Sequence, residues 1–302
     1  MGITIFPVTE EFVAEIGDID LSQPLSDAEF RIIEAAFERY AVLVFPDQTI
    51  SHDQQIAFAR RFGPMERSIA ADLDKTKPRR VPPELVDVSN LDTQGQIVPP
   101  DDRMLLINLG NQLWHTDSSF KPVPAKASLL YMRAIPQTGG QTEFADLRAA
   151  WDALPETLRR KAKGRVAEHA IAYSRVRAQT GLTMSKREQQ ALPAVRQALV
   201  RNHRASGRKG LYLGSHAGRI VGMTEQEGAA LLDALTAFAT QHQFVYTHRW
   251  RANDLVMWDD RCTLHRGRPF DDRRWKRAGQ RATVSDVANT LEQEGIRVSA
   301  EG

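Results

Sequence analysis

His115 and Asp117 are separated by a single residue. In an extended chain, residues two apart point to the same side, so this spacing can offer an imidazole and a carboxylate to one point in space. A further histidine would complete two imidazoles and one carboxylate on one side of a metal, the facial arrangement of non-haem Fe(II) oxygenases, in which other coordination positions stay open. His265, at the end of Trp258-Asp259-Asp260-Arg261-Cys262-Thr263-Leu264-His265, is the candidate third ligand. The His-x-Asp pair alone is weak evidence. With eight histidines in 302 residues, roughly one such spacing arises by chance, and a half-buried His115 bonded to Asp117 would satisfy it as well. The same three side chains would also suit Zn²⁺ in a hydrolase.

A second pattern lies downstream. If the segment around it is a strand, Arg277, Gly279 and Arg281 share a face, and two guanidiniums project inward with no side chain between them. The planar fork of arginine donates two parallel hydrogen bonds to a carboxylate, so two inward arginines imply two anions or one dianion. A pair of exposed arginines is the plain alternative. Trp114, Trp258 and Phe120 read first as core packing. His216 and His248 read as satisfied or exposed histidines, and Cys262 as a small buried thiol. No P-loop, dinucleotide fingerprint or Gly-x-Ser-x-Gly is present.

The elements that must position these residues are partly legible. A short strand is expected over 1–8. Ser26-Asp27-Ala28-Glu29 is a capping box and predicts a helix over about 27–40, followed by a buried strand over 41–45. Ser51 and Gln54 repeat the capping pattern for a helix that stops at Gly63-Pro64. Strands are expected over 127–134 and 141–145, with Asp146 capping a helix that holds Trp151. Further strands are expected over 169–173, 197–200 and 211–214. Thr224-Glu225-Gln226-Glu227 opens another helix through Leu231, Leu235 and Phe238. Closely spaced strands then follow over 244–250, 254–258 and 281–287. Many short strands with a few peripheral helices and no βαβ rhythm predict a mostly β chain, an antiparallel sandwich or barrel. One domain is expected over 1–302. The segment of about 70–102, rich in charge and proline, is expected to be a lid or insert that gates substrate.

Composition excludes several classes. Hydrophobic residues at 42% and charged residues at 26% are those of an ordinary soluble globular protein. The net charge of +2 gives no ground for a nucleic-acid or membrane partner, although Arg266, Arg268, Arg273, Arg274, Lys276, Arg277 and Arg281 form one local basic cluster. Cys262 is the single cysteine. No intrachain disulfide can form, and a cytoplasmic location is the expectation. A homo-oligomer acting on a small anionic substrate is expected.

Four motifs in order, Trp114-His115-Thr116-Asp117, Gly139-Gly140-Gln141-Thr142-Glu143-Phe144, Trp258 to Arg266, and Arg277 with Arg281, resemble the taurine / 2,4-dichlorophenoxyacetate dioxygenase family of Fe(II)- and 2-oxoglutarate-dependent oxygenases. The resemblance extends over about 3–287 and includes Gly17-Asp18-Ile19-Asp20-Leu21 and Arg61-Phe62-Gly63-Pro64. It implies a double-stranded β-helix (jelly roll) and iron on His115, Asp117 and His265. It also implies that Thr142 and Arg277 hold the far carboxylate of 2-oxoglutarate, and that Arg281 receives an anionic group of the substrate.

Where taurine-specific relatives carry a histidine and a tyrosine after the Phe-Gly motif, this chain has Ser68 and Ala71, which argues against taurine. The wording Asn111-Gln112-Leu113-Trp114-His115-Thr116-Asp117-Ser118-Ser119-Phe120 is most similar to the aryloxyalkanoate branch. The expected reaction is O₂-dependent hydroxylation next to the ether oxygen of a herbicide-like aryloxyalkanoate, releasing a phenol and glyoxylate or pyruvate, with succinate and CO₂. Asn111 is a candidate substrate contact, or a turn residue. Rival readings are an alkylsulfonate or alkylsulfate dioxygenase of the same family, the zinc hydrolase, and a non-catalytic jelly-roll binding module. The hydrolase has no use for Thr142 and Arg277.

Overall fold

The computed structural model describes residues 2–297. Its centre is a seven-stranded sheet in the order Thr4–Pro7, Val13–Gly17, Val42–Phe45, Leu255–Asp259, Ala125–Ala134, Ala278–Ser285, Leu85–Ser89. All neighbours are antiparallel except Val13–Gly17 beside Val42–Phe45. A second sheet has the order Val245–His248, Thr142–Asp146, Thr263–Gly267. Strand alternation sorts the core. On one face of the large sheet, Leu43, Phe45, Leu129, Tyr131 and Met257 pack with Ile33 and Phe37 of one helix and Phe58 of another. On the other face, Val42, Val44, Leu130, Val256 and Trp258 meet Phe144 of the second sheet, with the Phe144 and Trp258 rings 5.4 Å apart. The back of the second sheet, Ala145 and Leu264, packs on Leu231, Leu232 and Leu235.

The helices begin where their caps predict. Asp27–Tyr40 starts at a full Ser26/Glu29 capping box and ends at Ala41, which turns left-handed (φ 62°) to start the buried strand. Glu225–Ala239 has the Thr224/Glu227 box. Asp146 accepts from the backbone N–H groups of Arg148 and Ala149 to open the helix that carries Trp151.

Three expectations change. The helical share, 29% against 27% strand, exceeds a few peripheral helices. Short segments such as Glu156–Ala162, Ile171–Ala178 and Lys186–Ala191 run for about two turns, too few to show a period. The strand expected over 169–173 is instead the end of Val166–His169 followed by the helix Ile171–Ala178, because a four-residue apolar run fits either element. The 70–102 segment is also more structured than a simple lid. Its Leu85–Ser89 strand is the edge of the large sheet, paired with the strand that holds Arg281. Among the described residues, no helix is long and apolar enough to cross a membrane.

Candidate active site

The site lies between the two sheets. His265 is in the Thr263–Gly267 strand, and His115 forms an antiparallel bridge with it at that strand's free edge. Asp117, one residue beyond Thr116, turns back toward the large sheet, where Ser128 Oγ donates to Asp117 Oδ2 at 2.8 Å and Arg281 Nη1 to Asp117 Oδ1 at 2.5 Å. His115 Nε2 lies 3.9 Å from Asp117 Oδ1, and His265 Nε2 lies 3.7 Å from Asp117 Oδ2. The spacing logic therefore holds, although Ser118, at φ 52°, ends the extended stretch just after Asp117.

The protonation states suit a cation. Burial drives both imidazoles toward the neutral form, His265 the more strongly because His115 adds to the effect. The Leu113 carbonyl, 2.8 Å from His115 Nδ1, accepts a hydrogen bond from the protonated Nδ1 and leaves the Nε2 lone pair facing Asp117. Burial alone would raise the Asp117 carboxyl, but the Arg281 guanidinium beside it leads the opposing effects and holds it down at about 2. Two neutral imidazoles and one carboxylate, with ligand atoms within 4.8 Å of one another, fit a divalent metal with open positions.

A second buried cluster, His203, Asp259 and Cys262, does not fit one. Asp259 is already gripped by the Arg261 guanidinium at 2.6 Å, and His203 spends Nε2 on Asp259 and Nδ1 on Ser206.

Two compartments open from the triad. One, of about 90 Å³, is walled by His115, His265, Thr142, Trp258, Arg277 and Arg281. Thr142 Oγ1 accepts from Trp250 Nε1 at 3.0 Å, so its own hydrogen is free to donate into the space. Arg277 stands just before the Ala278–Ser285 strand, its backbone clasped by Asn90. Its guanidinium donates only to the Val88 carbonyl, at 3.3 Å, and has no carboxylate partner among the described residues. Burial draws its pKa down to about 10, so it remains a cation at neutral pH, and Asp272, a carboxylate on the same cavity wall, does not pair with it. The other compartment, of about 210 Å³, holds Arg281, Asp117 and His115 at one end and Val86, Val88, Leu106, Ile107 and Phe120 along its walls. Asn111 reaches both compartments and points its amide toward Asn108 at 3.5 Å. Ser68 and Ala71 line neither.

Some supporting residues carried no role in the sequence reading. Asp260 Oδ1 accepts from the Asp117 N–H at 3.0 Å, Thr116 Oγ1 at 3.3 Å and Trp258 Nε1 at 3.1 Å, and so fixes the chain that carries the Asp117 carboxylate. It stands inside the Trp258–His265 motif, which was the available signal. Ser128 had none, being one small residue in an apolar strand. Gly214 packs behind His115: a Cβ there would lie 3.1 Å from the His115 Cα and 3.2 Å from the Trp114 carbonyl oxygen, and its φ of +126° favours glycine. Of the basic cluster, Arg268, Arg277 and Arg281 line the smaller cavity, while Arg266 and Arg268 also lie against Glu143.

Two sheets enclosing a buried His₂Asp set, with separate cationic and apolar compartments beside it, define the site of a metal-dependent oxygenase. Residues 4–283 match the family described as taurine catabolism dioxygenase TauD, TfdA family, and the chain belongs to that family. It is 44% identical over 289 residues, 95% of this chain and 99% of the relative, to the alpha-ketoglutarate-dependent 2,4-dichlorophenoxyacetate dioxygenase of Cupriavidus pinatubonensis. It is 38% identical over 274 residues, 88% and 90% of the two chains, to the (S)-phenoxypropionate/alpha-ketoglutarate-dioxygenase of Sphingobium herbicidovorans. Among solved structures, AAD-2 in complex with Mn(II) and N-oxalylglycine superposes with a TM-score of 0.88 at 45% identity, covering 96% of this chain and all of that one.

Proposed function

We propose that this chain is an Fe(II)- and 2-oxoglutarate-dependent dioxygenase that cleaves aryloxyalkanoates, with His115, Asp117 and His265 as the metal ligands. The observation that carries this reading is Arg277, a half-buried cation with no carboxylate partner among the described residues, set with the Thr142 hydroxyl on the wall of a cavity that His115 and His265 also line. Those two groups are a receptor for one end of a dicarboxylate whose other end reaches the metal. A zinc hydrolase would have no use for them, and a passive binding module would bind its ligand without consuming O₂.

When bound, iron and 2-oxoglutarate supply the oxidising power, consuming O₂ and giving succinate and CO₂. The protein positions the reactants. Arg281 binds the substrate carboxylate, so the carbon between that carboxylate and the ether oxygen is held beside the metal. Val88, Phe120 and Ile107 exclude water around the aryl ring. Inserting one oxygen atom into that C–H bond gives a hemiacetal. Breaking the bond between the hemiacetal carbon and the ether oxygen, with the hydroxyl proton passing to the departing aryloxide as the hydroxyl becomes a carbonyl, gives a phenol and glyoxylate, or pyruvate from a propionate. Asn111, at the mouth of both compartments, is a further substrate contact in this reading.

The facing sheets are those of a double-stranded β-helix in one oxygenase domain. The 70–102 insert, whose residues wall the aryl compartment through Val86 and Val88, gates entry. A cytoplasmic location is in keeping with the single unbridged cysteine.

The test is anaerobic loading with Fe(II) and 2-oxoglutarate, then O₂ with phenoxyacetate, a chiral phenoxypropionate, an alkyl sulfate and an alkylsulfonate, measuring succinate and phenol. Phenol stoichiometric with succinate is expected for the aryl ethers. Succinate released alongside sulfate or sulfite, with no phenol, would move the chain to the sulfur-ester branch.

A further inference from the structure

Arg281 lines a third space besides the two compartments at the triad, of about 180 Å³, whose walls include Glu66, Ser118 and Thr283. Three buried polar atoms on these walls have no hydrogen-bond partner among the described residues: Glu66 Oε1, Arg281 Nε and Thr283 Oγ1. The Glu66 side chain is 8% exposed and Thr283 is 4% exposed. Thr283 follows Arg281 by two residues in one strand and so shares its face. The set is complementary, since the carboxylate oxygen accepts, the guanidinium N–H donates and the hydroxyl does both. Leaving such groups unpaired in a protein interior is costly, and a polar space of this size takes water that pairs them.

Glu66 is fixed from two sides. Its backbone N–H donates to the Thr283 carbonyl at 2.8 Å, which seats it beside the strand of Arg281. Its Oε2 accepts from Ser118 Oγ at 2.7 Å and from Lys121 Nζ at 2.6 Å, and Ser118 directly follows Asp117. Both printed partners use Oε2, so Oε1 is the oxygen left for the cavity. Of the other charged groups on its walls, Arg67 is paired with Asp72 at 3.0 Å, and Glu84 is half-buried.

Arg281 Nη1 is committed to Asp117 at 2.5 Å. With a substrate carboxylate on the remaining Nη hydrogens, Nε–H is the donor left to set the plane of the guanidinium. We propose that Glu66 is a positioning residue for the substrate-binding arginine. Through water in the third space, its Oε1 and the Thr283 hydroxyl hold Arg281 Nε and aim the guanidinium fork at the substrate carboxylate. The inference rests on the reading above, in which Arg281 receives that carboxylate.

The test titrates phenoxyacetate calorimetrically into the full-length protein loaded with Mn(II) and 2-oxoglutarate, and measures phenol release by the Fe(II)-loaded enzyme. Glu66→Gln keeps an acceptor for Ser118 and Lys121 and replaces the second oxygen with a donor. It is expected to raise Kd and KM for phenoxyacetate about tenfold. The kcat, the Mn(II) affinity and the KM for 2-oxoglutarate stay within about twofold. Thr283→Val, nearly the same shape, moves phenoxyacetate binding the same way by about threefold, and carries the test should the Glu66 variant fold poorly. Glu84→Gln removes an equal charge from the same wall, and Lys121→Met breaks the ion pair without touching Oε1. Both leave phenoxyacetate within about twofold.

Unchanged phenoxyacetate binding in Glu66→Gln and Thr283→Val overturns the proposal, as does an equal loss in Glu84→Gln. A fall in Mn(II) affinity that matches the fall in phenoxyacetate affinity also overturns it, because Glu66 would then act on the Asp117 turn. A parent enzyme that neither binds nor cleaves phenoxyacetate defeats the aryloxyalkanoate reading and this inference with it. A parent that does both, with variants that match it, defeats the inference alone.

Discussion

His115 and His265 are backbone partners: the His115 N–H donates to the His265 carbonyl at 3.0 Å, the His265 N–H donates back at 2.8 Å, and their rings stand 4.1 Å apart. The main chain thus sets two of the three proposed ligand positions before any metal arrives, and side chains are needed to aim only Asp117. His265→Ala should accordingly keep the fold. It removes a buried ring from Trp258, 4.6 Å away, which costs about 1–3 kcal/mol, or roughly 2–4 °C in Tm per kcal/mol. Mn(II) at about 100 times its Kd should stabilise the parent by about 2.7 kcal/mol and the variant not at all. Thermal melts with and without Mn(II) check this, and a variant that keeps the Mn(II) shift would remove His265 from the ligand set.

Arg277 should show opposite signs for stability and function. Holding a guanidinium in a partly dry cavity without a carboxylate is unfavourable, as its lowered pKa reflects. Arg277→Leu is expected to leave the ligand-free protein as stable as the parent, or more stable by about 1 kcal/mol, while raising the KM for 2-oxoglutarate by a factor of about 100. Urea unfolding and succinate kinetics measure the two effects. A variant that is destabilised and still saturates at the parent's 2-oxoglutarate concentration would make Arg277 structural.

Asp260 is a positioning residue. Its three donors, the Asp117 N–H, Thr116 Oγ1 and Trp258 Nε1, all address Oδ1, while Oδ2 has no partner among the described residues. Asn offers the same carbonyl-type acceptor at Oδ1, and Ala offers none. Asp260→Ala should weaken metal affinity about 10–100-fold, whereas Asp260→Asn should restore most of it. Calorimetric titration with Mn(II) reads this directly, and the split between Ala and Asn is what loss of packing alone would not produce.

How much of this was legible depended on the range of each interaction. Caps act within four residues, so Ser26, Ser51, Asp146 and Thr224 marked helix starts that the structure keeps. The period of a strand put His115 with Asp117 and Arg277 with Arg281, and both pairs reach the cavity between the sheets. What joins them is not periodic. Ser128 meets Asp117 only because two sheets face each other, and Gly214 is needed only because another segment's backbone passes behind it. Contacts of that kind follow from tertiary packing and leave no local pattern. The short helices over 156–191 escaped for a different reason: two turns bury too few side chains to establish a face.

His169 is buried, stacked 5.7 Å from the Tyr212 ring, and neither of its nitrogens has a hydrogen-bond partner among the described residues. Burial, with a lesser push from Arg177, lowers its pKa to about 3, whereas an unfolded histidine titrates near about 6.5. Between those values the unfolded chain binds a proton that the folded chain refuses. Stability is therefore complete above about pH 6.5 and falls as pH drops toward 3, by about 1.4 kcal/mol per unit for this one group. His169→Phe keeps a flat ring against Tyr212 and removes both unpartnered nitrogens, so it should flatten the stability profile between about pH 4.5 and 6.5 by one proton. His216, likewise lowered to about 3 by burial, would still contribute its own slope. Urea denaturation across that pH range measures the difference, and a variant whose profile runs parallel to the parent's would show that His169 is already protonated in the fold.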